Sequence, residues 1–166
     1  MVARISVGKN LYGALAYNQN KVDEGGAKIL SAHLLRYPED GRFRPDESVR
    51  QFLEWMPNHY RTEKPVIHIS LNPHPDDVLT DGQLAEIGRE YMQRLGYGNQ
   101  PYLVFKHEDI GRHHIHIVSL RVDSEGRKVS DKFEYRRSKE ITELLEQKYG
   151  LHPAEGRKKG EEWQLK

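Results

Sequence analysis

Residues 107–118 (HEDIGRHHIHIV) contain the residue types best suited to metal chemistry, because four of the nine histidines of the chain lie there. Side chains alternate along a strand, so His114 and His116 share one face while isoleucines occupy the other. A tight turn at residues 110–111 pairs His107 with His114, and paired Cβ atoms lie about 4.5–5.5 Å apart. Three converging imidazoles predict a divalent-cation site at His107, His114 and His116.

The remaining histidines give weaker signals. His113 points to the other side of the strand or into the turn, which makes it the least suitable ligand. His68 lies in a predicted strand and His74 in a proline-rich loop, and both are interpreted as packed or surface side chains. His33, His59 and His152 have no informative context.

The composition excludes several kinds of site. The chain has no cysteine, which excludes disulfides, thiolate zinc sites, iron–sulfur clusters and a cysteine nucleophile. Any metal must therefore be held by imidazole and carboxylate groups. The absence of cysteine fits a reducing cytosol. No apolar stretch is long enough to span a membrane, and the N-terminal residues do not form a secretory signal, so we expect a cytoplasmic protein without membrane insertion.

The charges nearly cancel over the whole chain, with a formal net charge of +1, but they are unevenly distributed. The middle of the chain is acidic and both ends are basic. The densest basic run consists of Arg127, Lys128, Lys132, Arg136, Arg137 and Lys139. This run is either a solvated face or a phosphate-binding strip.

The residue patterns predict strands mixed with helices. Strands are expected at residues 3–7, 65–71, 102–107, 113–122 and 128–134, and an extended segment at 27–35. Helices are expected from Leu11, after an Asp46 cap, after a Thr80 or Asp81 cap, and from a Ser138 cap to Gly150. The predicted class is α+β: a central, mainly antiparallel sheet with helices packed on it and the histidine hairpin inside it. One domain is expected over residues 1–152, followed by a mobile basic tail at 153–166.

The histidine segment resembles the three-histidine motif of mobilisation relaxases, particularly the P class from mobilisable elements of Bacteroides-like bacteria. Near the N-terminus, a short strand followed by GALAYNQNKV resembles the nucleophile motif of that family. The order of a tyrosine, a strand–helix middle and a histidine hairpin also matches. The resemblance extends from about Ala3 to Tyr149.

This resemblance implies cleavage of one DNA strand at a transfer origin, through a tyrosine that keeps the 5′ phosphate as a covalent phosphotyrosine. It implies a divalent ion, Mn²⁺ or Mg²⁺, on the three histidines. Tyr17 matches the position of the family nucleophile. Tyr12 lies on the same helix but points about 140° away from it. Asp109 either assists Tyr17 or orients a histidine, or else it is an ordinary turn residue.

The expected partner is single-stranded DNA at the transfer origin, together with accessory mobilisation proteins and a coupling protein. The predicted DNA-binding residues are Arg4, Lys21, Arg112, Arg127, Lys128, Lys132, Arg136 and Arg137. The family often has Asn-Pro before the paired histidines, whereas this chain has Arg112-His113. Family members usually continue beyond the nuclease domain, so the chain is either a short member or a trimmed domain.

Two other functions remain open from the sequence. A rolling-circle replication initiator would use the same chemistry, with its nucleophile after the histidine motif, and Tyr149 would fill that role. A metal-stabilised DNA-binding accessory protein would bind DNA without cutting it.

Overall fold

An antiparallel sheet forms the centre of the protein in a computed structural model, which describes residues 1–36, 39–40, 42–108 and 113–154. Within these residues the strands are β1 (Val2–Gly8), β2 (Ala27–His33), β3 (Val66–Asn72), β4 (Tyr102–His107) and β5 (His114–Leu120). The helices are α1 (Leu11–Asp23), α2 (Pro45–Trp55), α3 (Asp81–Leu95) and α4 (Glu134–Tyr149). The strand order is β1-β3-β5-β4-β2. The predicted α+β class, with the histidine-bearing strands inside the sheet, is confirmed.

The two faces of the sheet pack against different helix pairs. One face carries isoleucines of β3 and β5, which form a buried core with Tyr91 of α3 and Leu145 of α4. The other face carries Phe105 and Val118, which pack with Leu15 of α1 and with α2. Strand alternation produces this division, because neighbouring residues of β3 and β5 point to opposite faces.

The register places the candidate ligands on the face that α1 and α2 cover. In the ladder, Arg4 lies opposite Ser70, and Ser70 lies opposite His116. On the neighbouring strand pair, His107 lies opposite His114. Directly paired residues share a face, so these side chains project on the same side as the α1 core. The predicted pairing of His107 with His114 is confirmed.

The predicted start of α3 is also confirmed, whereas the predicted cap of α2 is wrong. Thr80 and Gln83 form a capping box at the start of α3, where the Thr80 Oγ1 accepts from the Gln83 N–H at 3.1 Å. At α2, Arg44 occupies the capping position and Pro45 begins the helix, so Asp46 lies inside the first turn. Proline favours the first helical position because it has no N–H to leave unpaired.

The region after β5 differs most from prediction. The predicted strand at 128–134 is reduced to a single bridge between Val122 and Lys128. Arg137 instead donates to the carbonyls of Leu95, Ser130 and Lys132, which fixes this segment without a strand partner. The helix starts one turn early, so Ser138 is not its cap. The Ser138 Oγ lies 2.7 Å from the Tyr91 hydroxyl in a buried hydrogen bond.

Several predictions concern residues outside the described ranges. These are the hairpin turn at 110–111, Asp109, Arg112 and the tail from residue 155 onward. In the part of the chain that the structure describes, no helix has both the length and the apolar character needed to cross a membrane.

Candidate metal centre and nucleophile

Three histidines from β4 and β5 converge at one end of the sheet. His107, His114 and His116 each offer a ring nitrogen, and these three nitrogens lie within 4.8 Å of one another. His107 is 1% exposed and His114 is 9% exposed. Burial of polar rings at this density is stable only where their nitrogens have partners. The arrangement is one that could hold a metal ion.

Asn18 of α1 determines which nitrogen His107 can offer. The Asn18 Nδ2 donates to the Ala14 carbonyl at 2.8 Å, which fixes the orientation of the amide. Its Oδ1 then lies 2.8 Å from His107 Nε2 and must accept a proton from it. A neutral imidazole carries one N–H, so the Nδ1 of His107 is the unprotonated nitrogen. Asn18 is fully buried.

His68 of β3 acts on His116 in the same way. The Nδ1 of His116 lies 3.0 Å from His68 Nε2. For His116 Nε2 to bind a cation, its Nδ1 must carry the proton and donate it to His68. Burial lowers the pKa of His68 below its usual value, which favours the neutral ring that this bond requires. The interpretation of His68 as an ordinary packed or surface side chain is therefore incomplete.

The donor set fits a divalent transition ion. The Nε2 of His116 lies 3.3 Å from His114 Nδ1. Two nitrogens bound tetrahedrally at 2.0–2.1 Å from one cation are separated by about 3.3 Å. All three ligands are neutral when they bind, so the cation keeps its full charge, and fewer than four protein ligands leave positions for substrate oxygens.

Tyr17 lies directly beside this cluster. Its ring centroid is 6.1 Å from that of His107, with the rings stacked, and 6.4 Å from that of His116. Tyr17 is 44% exposed, so the residue is open to solvent beside the buried histidines. The hydrogen bond between Asn18 and His107 also positions Tyr17, because Tyr17 and Asn18 are consecutive residues of α1. Among the described ring contacts, Tyr12 makes none with the histidines, and it is 54% exposed.

Comparison with known protein families decides the identity of this arrangement. The family model for the MobA/VirD2-like relaxase nuclease domain matches residues 17–151. The chain belongs to this family. No curated protein matches the chain significantly. Membership implies a DNA endonuclease that nicks its substrate, and the histidine cluster and the family together indicate a divalent metal.

Two of the predicted DNA-binding residues of this relaxase lie near the histidines. Arg4 is exposed on the face that carries His116, two strands away, which corresponds to about 10 Å between backbones. The Nζ of Lys21 lies 5.9 Å from the Tyr17 ring centroid. Both cations therefore lie close to the histidine cluster.

The predicted basic run from Arg127 to Arg137 lies elsewhere on the relaxase. β5 advances about 20 Å from His114 to Leu120, at about 3.3 Å per residue, and the run begins beyond Leu120. Several of its cations are engaged internally. Arg127 lies 3.2 Å from Glu125, Lys128 lies 3.2 Å from Asp131, and Arg137 donates to three carbonyls.

The remaining histidines and Tyr149 lie in different parts of the structure. His113 is exposed next to the cluster. His74 stacks on His152 with centroids 4.8 Å apart, and His33 bonds the Gly98 carbonyl at 2.8 Å. Tyr149 packs against the core on the opposite face of the sheet from the histidines.

Sequence reasoning missed Asn18 and His68 in this relaxase. Asn18 follows Tyr17 immediately, so its proximity to the nucleophile motif was a usable signal. His68 shares one face of β3 with Ser70, but only the pairing of β3 with β5 brings it to His116. That pairing connects residues 48 positions apart, and local patterns do not encode it.

Proposed function

We propose that this relaxase nuclease cuts one DNA strand at a transfer origin and thereby initiates conjugative mobilisation. The observation that carries the proposal is the stacking of the accessible Tyr17 ring on His107, next to the three-histidine cluster. The proposal includes a cytoplasmic location and cooperation with accessory mobilisation proteins and a coupling protein.

Tyr17 is the proposed nucleophile. Its hydroxyl oxygen forms a bond to the scissile phosphorus, and the bond from phosphorus to the 3′ oxygen breaks. The phenolic proton is removed, and a proton is delivered to the departing 3′ oxygen, so the products are a 5′-phosphotyrosine and a 3′ hydroxyl. Asp109, which lies outside the described residues, is the proposed assistant in this proton transfer.

His107, His114 and His116 are the proposed ligands of Mn²⁺ or Mg²⁺. An all-imidazole set favours a transition ion such as Mn²⁺ over Mg²⁺, which prefers oxygen ligands. The bound ion would polarise the phosphoryl oxygens and orient the phosphate. Asn18 and His68 hold two of the rings in the tautomers that binding requires, and Arg4 and Lys21 contact the neighbouring phosphates.

The proposal is tested by mixing the full chain with Mn²⁺ or Mg²⁺ and single-stranded oligonucleotides from the transfer origin of its element. We expect a protein–DNA adduct that survives denaturing electrophoresis and holds the DNA fragment downstream of the cut through its 5′ phosphate, while the upstream fragment is released with a 3′ hydroxyl. A scrambled strand of equal length is the control. Failure of every origin strand to form an adduct or a nick would refute the nuclease proposal.

His68 gives a prediction about metal affinity. We expect His68→Ala to weaken Mn²⁺ binding about 10–100-fold, because loss of a hydrogen bond to a metal ligand typically has this effect. His68→Gln, which retains a side-chain acceptor, should recover part of the loss. Isothermal titration with Mn²⁺ alone measures both effects.

His33→Ala is the matched control for His68→Ala. His33 is also a partly buried histidine with a hydrogen bond and a stacked ring, the latter on Tyr102, but it lies outside the cluster. Its replacement should leave Mn²⁺ affinity unchanged. Equal affinities of the wild type and His68→Ala would show that His68 does not position His116.

A further inference from the structure

We propose that the start of α4 carries a second site for single-stranded DNA, remote from the histidines. It consists of the aromatic–basic patch, defined as Lys132, Phe133, Tyr135, Arg136 and Lys139. This inference rests on the proposed function, since it takes the same DNA strand as its ligand. It assigns that strand a contact far from the bond that is cut.

The aromatic side chains of the patch are unusually exposed. Tyr135 is 87% exposed and Phe133 is 60% exposed. Large aromatic rings are rarely left in water without a partner to bind, and nearby exposed rings are typical of binding surfaces. Both rings lie at the start of α4, and Arg136, the residue next to Tyr135, lies against the Phe133 ring, so the two aromatic residues flank the same helix terminus.

The basic side chains of the patch gather around one ring. The Lys132 Nζ lies 5.5 Å from the Phe133 ring centroid, and the Arg136 Cζ lies 5.0 Å from it. Cation–π attraction holds both positive charges there. Within the described residues, the salt bridges of this region involve Arg121, Arg127 and Lys128 rather than Lys132 or Arg136. Two cations held together without a carboxylate suit a phosphate group.

The neighbouring acidic side chains do little to neutralise this surface. Asp131 is engaged by Arg121 at 3.1 Å and by Lys128 at 3.2 Å. Glu134 is partly buried, and burial raises the pKa of its carboxyl group. Glu140 is exposed one turn beyond Arg136 and is the nearest acid on that side of the helix. The exposed surface is therefore predominantly positive.

The combination favours an unpaired strand over a duplex. Exposed aromatic rings stack on unpaired bases, while Lys and Arg contact the backbone phosphates, and this pairing of features is typical of single-strand binding. In a duplex the base faces are already stacked on one another, so Tyr135 would have no base face to contact.

The backbone at Phe133 supports a role for its side chain outside folding. Phe133 has φ of 53°, in the left-handed region, where a non-glycine residue is disfavoured. Glycine would adopt this conformation without strain. Phe133→Gly should therefore keep or raise the free energy of unfolding. If the ring had a purely structural role, the same substitution would lower the free energy of unfolding.

The position of the patch determines the length of DNA that reaches it. The patch lies beyond the Leu120 end of the sheet, on the side of α3 and α4, about 20 Å or more from the histidines. A stacked strand advances about 3.4 Å per nucleotide, so the path exceeds about six nucleotides. A six-nucleotide strand centred on the cut cannot reach the patch, whereas one extended by fifteen nucleotides on each side can.

Fluorescence anisotropy with these two labelled strands, in EDTA to prevent cleavage, tests the inference on the full chain. We expect Tyr135→Ala and Phe133→Gly each to reduce the affinity for the long strand about ten-fold, relative to the affinity for the short strand. Lys132→Ala and Arg136→Ala should each lower the salt dependence of long-strand binding by about 0.7 in log–log slope. Arg89→Ala, at an exposed arginine on α3, should change neither quantity.

Two outcomes separate this inference from the proposed function. Adduct formation by the wild type, with unchanged long-strand affinity in Tyr135→Ala and Phe133→Gly, overturns the inference and leaves the function standing. Absence of an adduct, with selective loss of long-strand affinity in these variants, supports the inference and refutes the function.

Discussion

Replacement of Tyr17 by phenylalanine should abolish covalent adduct formation and reduce strand cleavage about 10³-fold or more. The substitution removes only the hydroxyl oxygen, so the ring can still stack on His107 and the fold should be unchanged. Loss of a nucleophile removes the one group that forms the covalent bond, which is why the expected effect is large. Denaturing electrophoresis of the protein with labelled origin DNA and Mn²⁺ measures it.

Tyr12→Phe provides the matched control, since it makes the same change on the same helix. Tyr12 is exposed and makes no described ring contact with the histidines, so this variant should form the adduct at the wild-type rate. Peptide mapping of the wild-type adduct should identify Tyr17 as the modified residue. An adduct in Tyr17→Phe would show that Tyr17 is not the nucleophile, and a modified Tyr149 would favour the replication-initiator alternative.

Replacement of His107, His114 and His116 together by alanine should abolish metal-dependent cleavage and the stabilisation of the fold by Mn²⁺. In the wild type, a ligand at 100 times its Kd adds about 2.7 kcal/mol to the free energy of unfolding. Without the three imidazoles, no group of described residues remains that could hold the ion. Thermal unfolding with and without Mn²⁺ measures the difference.

His113→Ala is the control for the metal-ligand variant, because His113 is an exposed histidine directly beside His114. It should retain both cleavage and Mn²⁺ stabilisation. His107 and His114 are buried, so the triple variant can unfold for structural reasons. In that case the single variant His116→Ala, at a partly exposed position, provides the test. Full Mn²⁺ stabilisation in His116→Ala would rule out the proposed ligand set.

The histidine hairpin could be predicted because its information is local. Strand alternation places His114 and His116 on one face, and the predicted pairing of His107 with His114 agrees with the register. The α3 boundaries were equally accessible, since Thr80 and Gln83 form a capping box and Gly96 ends the helix with a positive φ. These signals act over a few residues, where side-chain chemistry dominates.

The prediction failed after β5 for a physical reason. A short strand is predicted at 128–134 after the turn, but a strand needs a neighbour to bond with, and the ladder there is limited to one bridge. Arg137 satisfies three carbonyls of other segments instead. Sequence also leaves the basic run open between a solvated face and a phosphate-binding strip, whereas in the structure ion pairs and carbonyls engage Arg127, Lys128 and Arg137.

The sequence by itself determined the α+β class, the three convergent histidines and the tyrosine on the first helix. The absence of cysteine likewise restricted any metal to imidazole and carboxylate ligands. The tertiary structure alone decided that His68 bonds His116, that Asn18 orients His107, and that Tyr17 rather than Tyr149 lies beside the cluster. These contacts depend on the strand order β1-β3-β5-β4-β2 and on the face that each helix covers. Such long-range pairing is set by packing of the whole core, not by the residues next to each site.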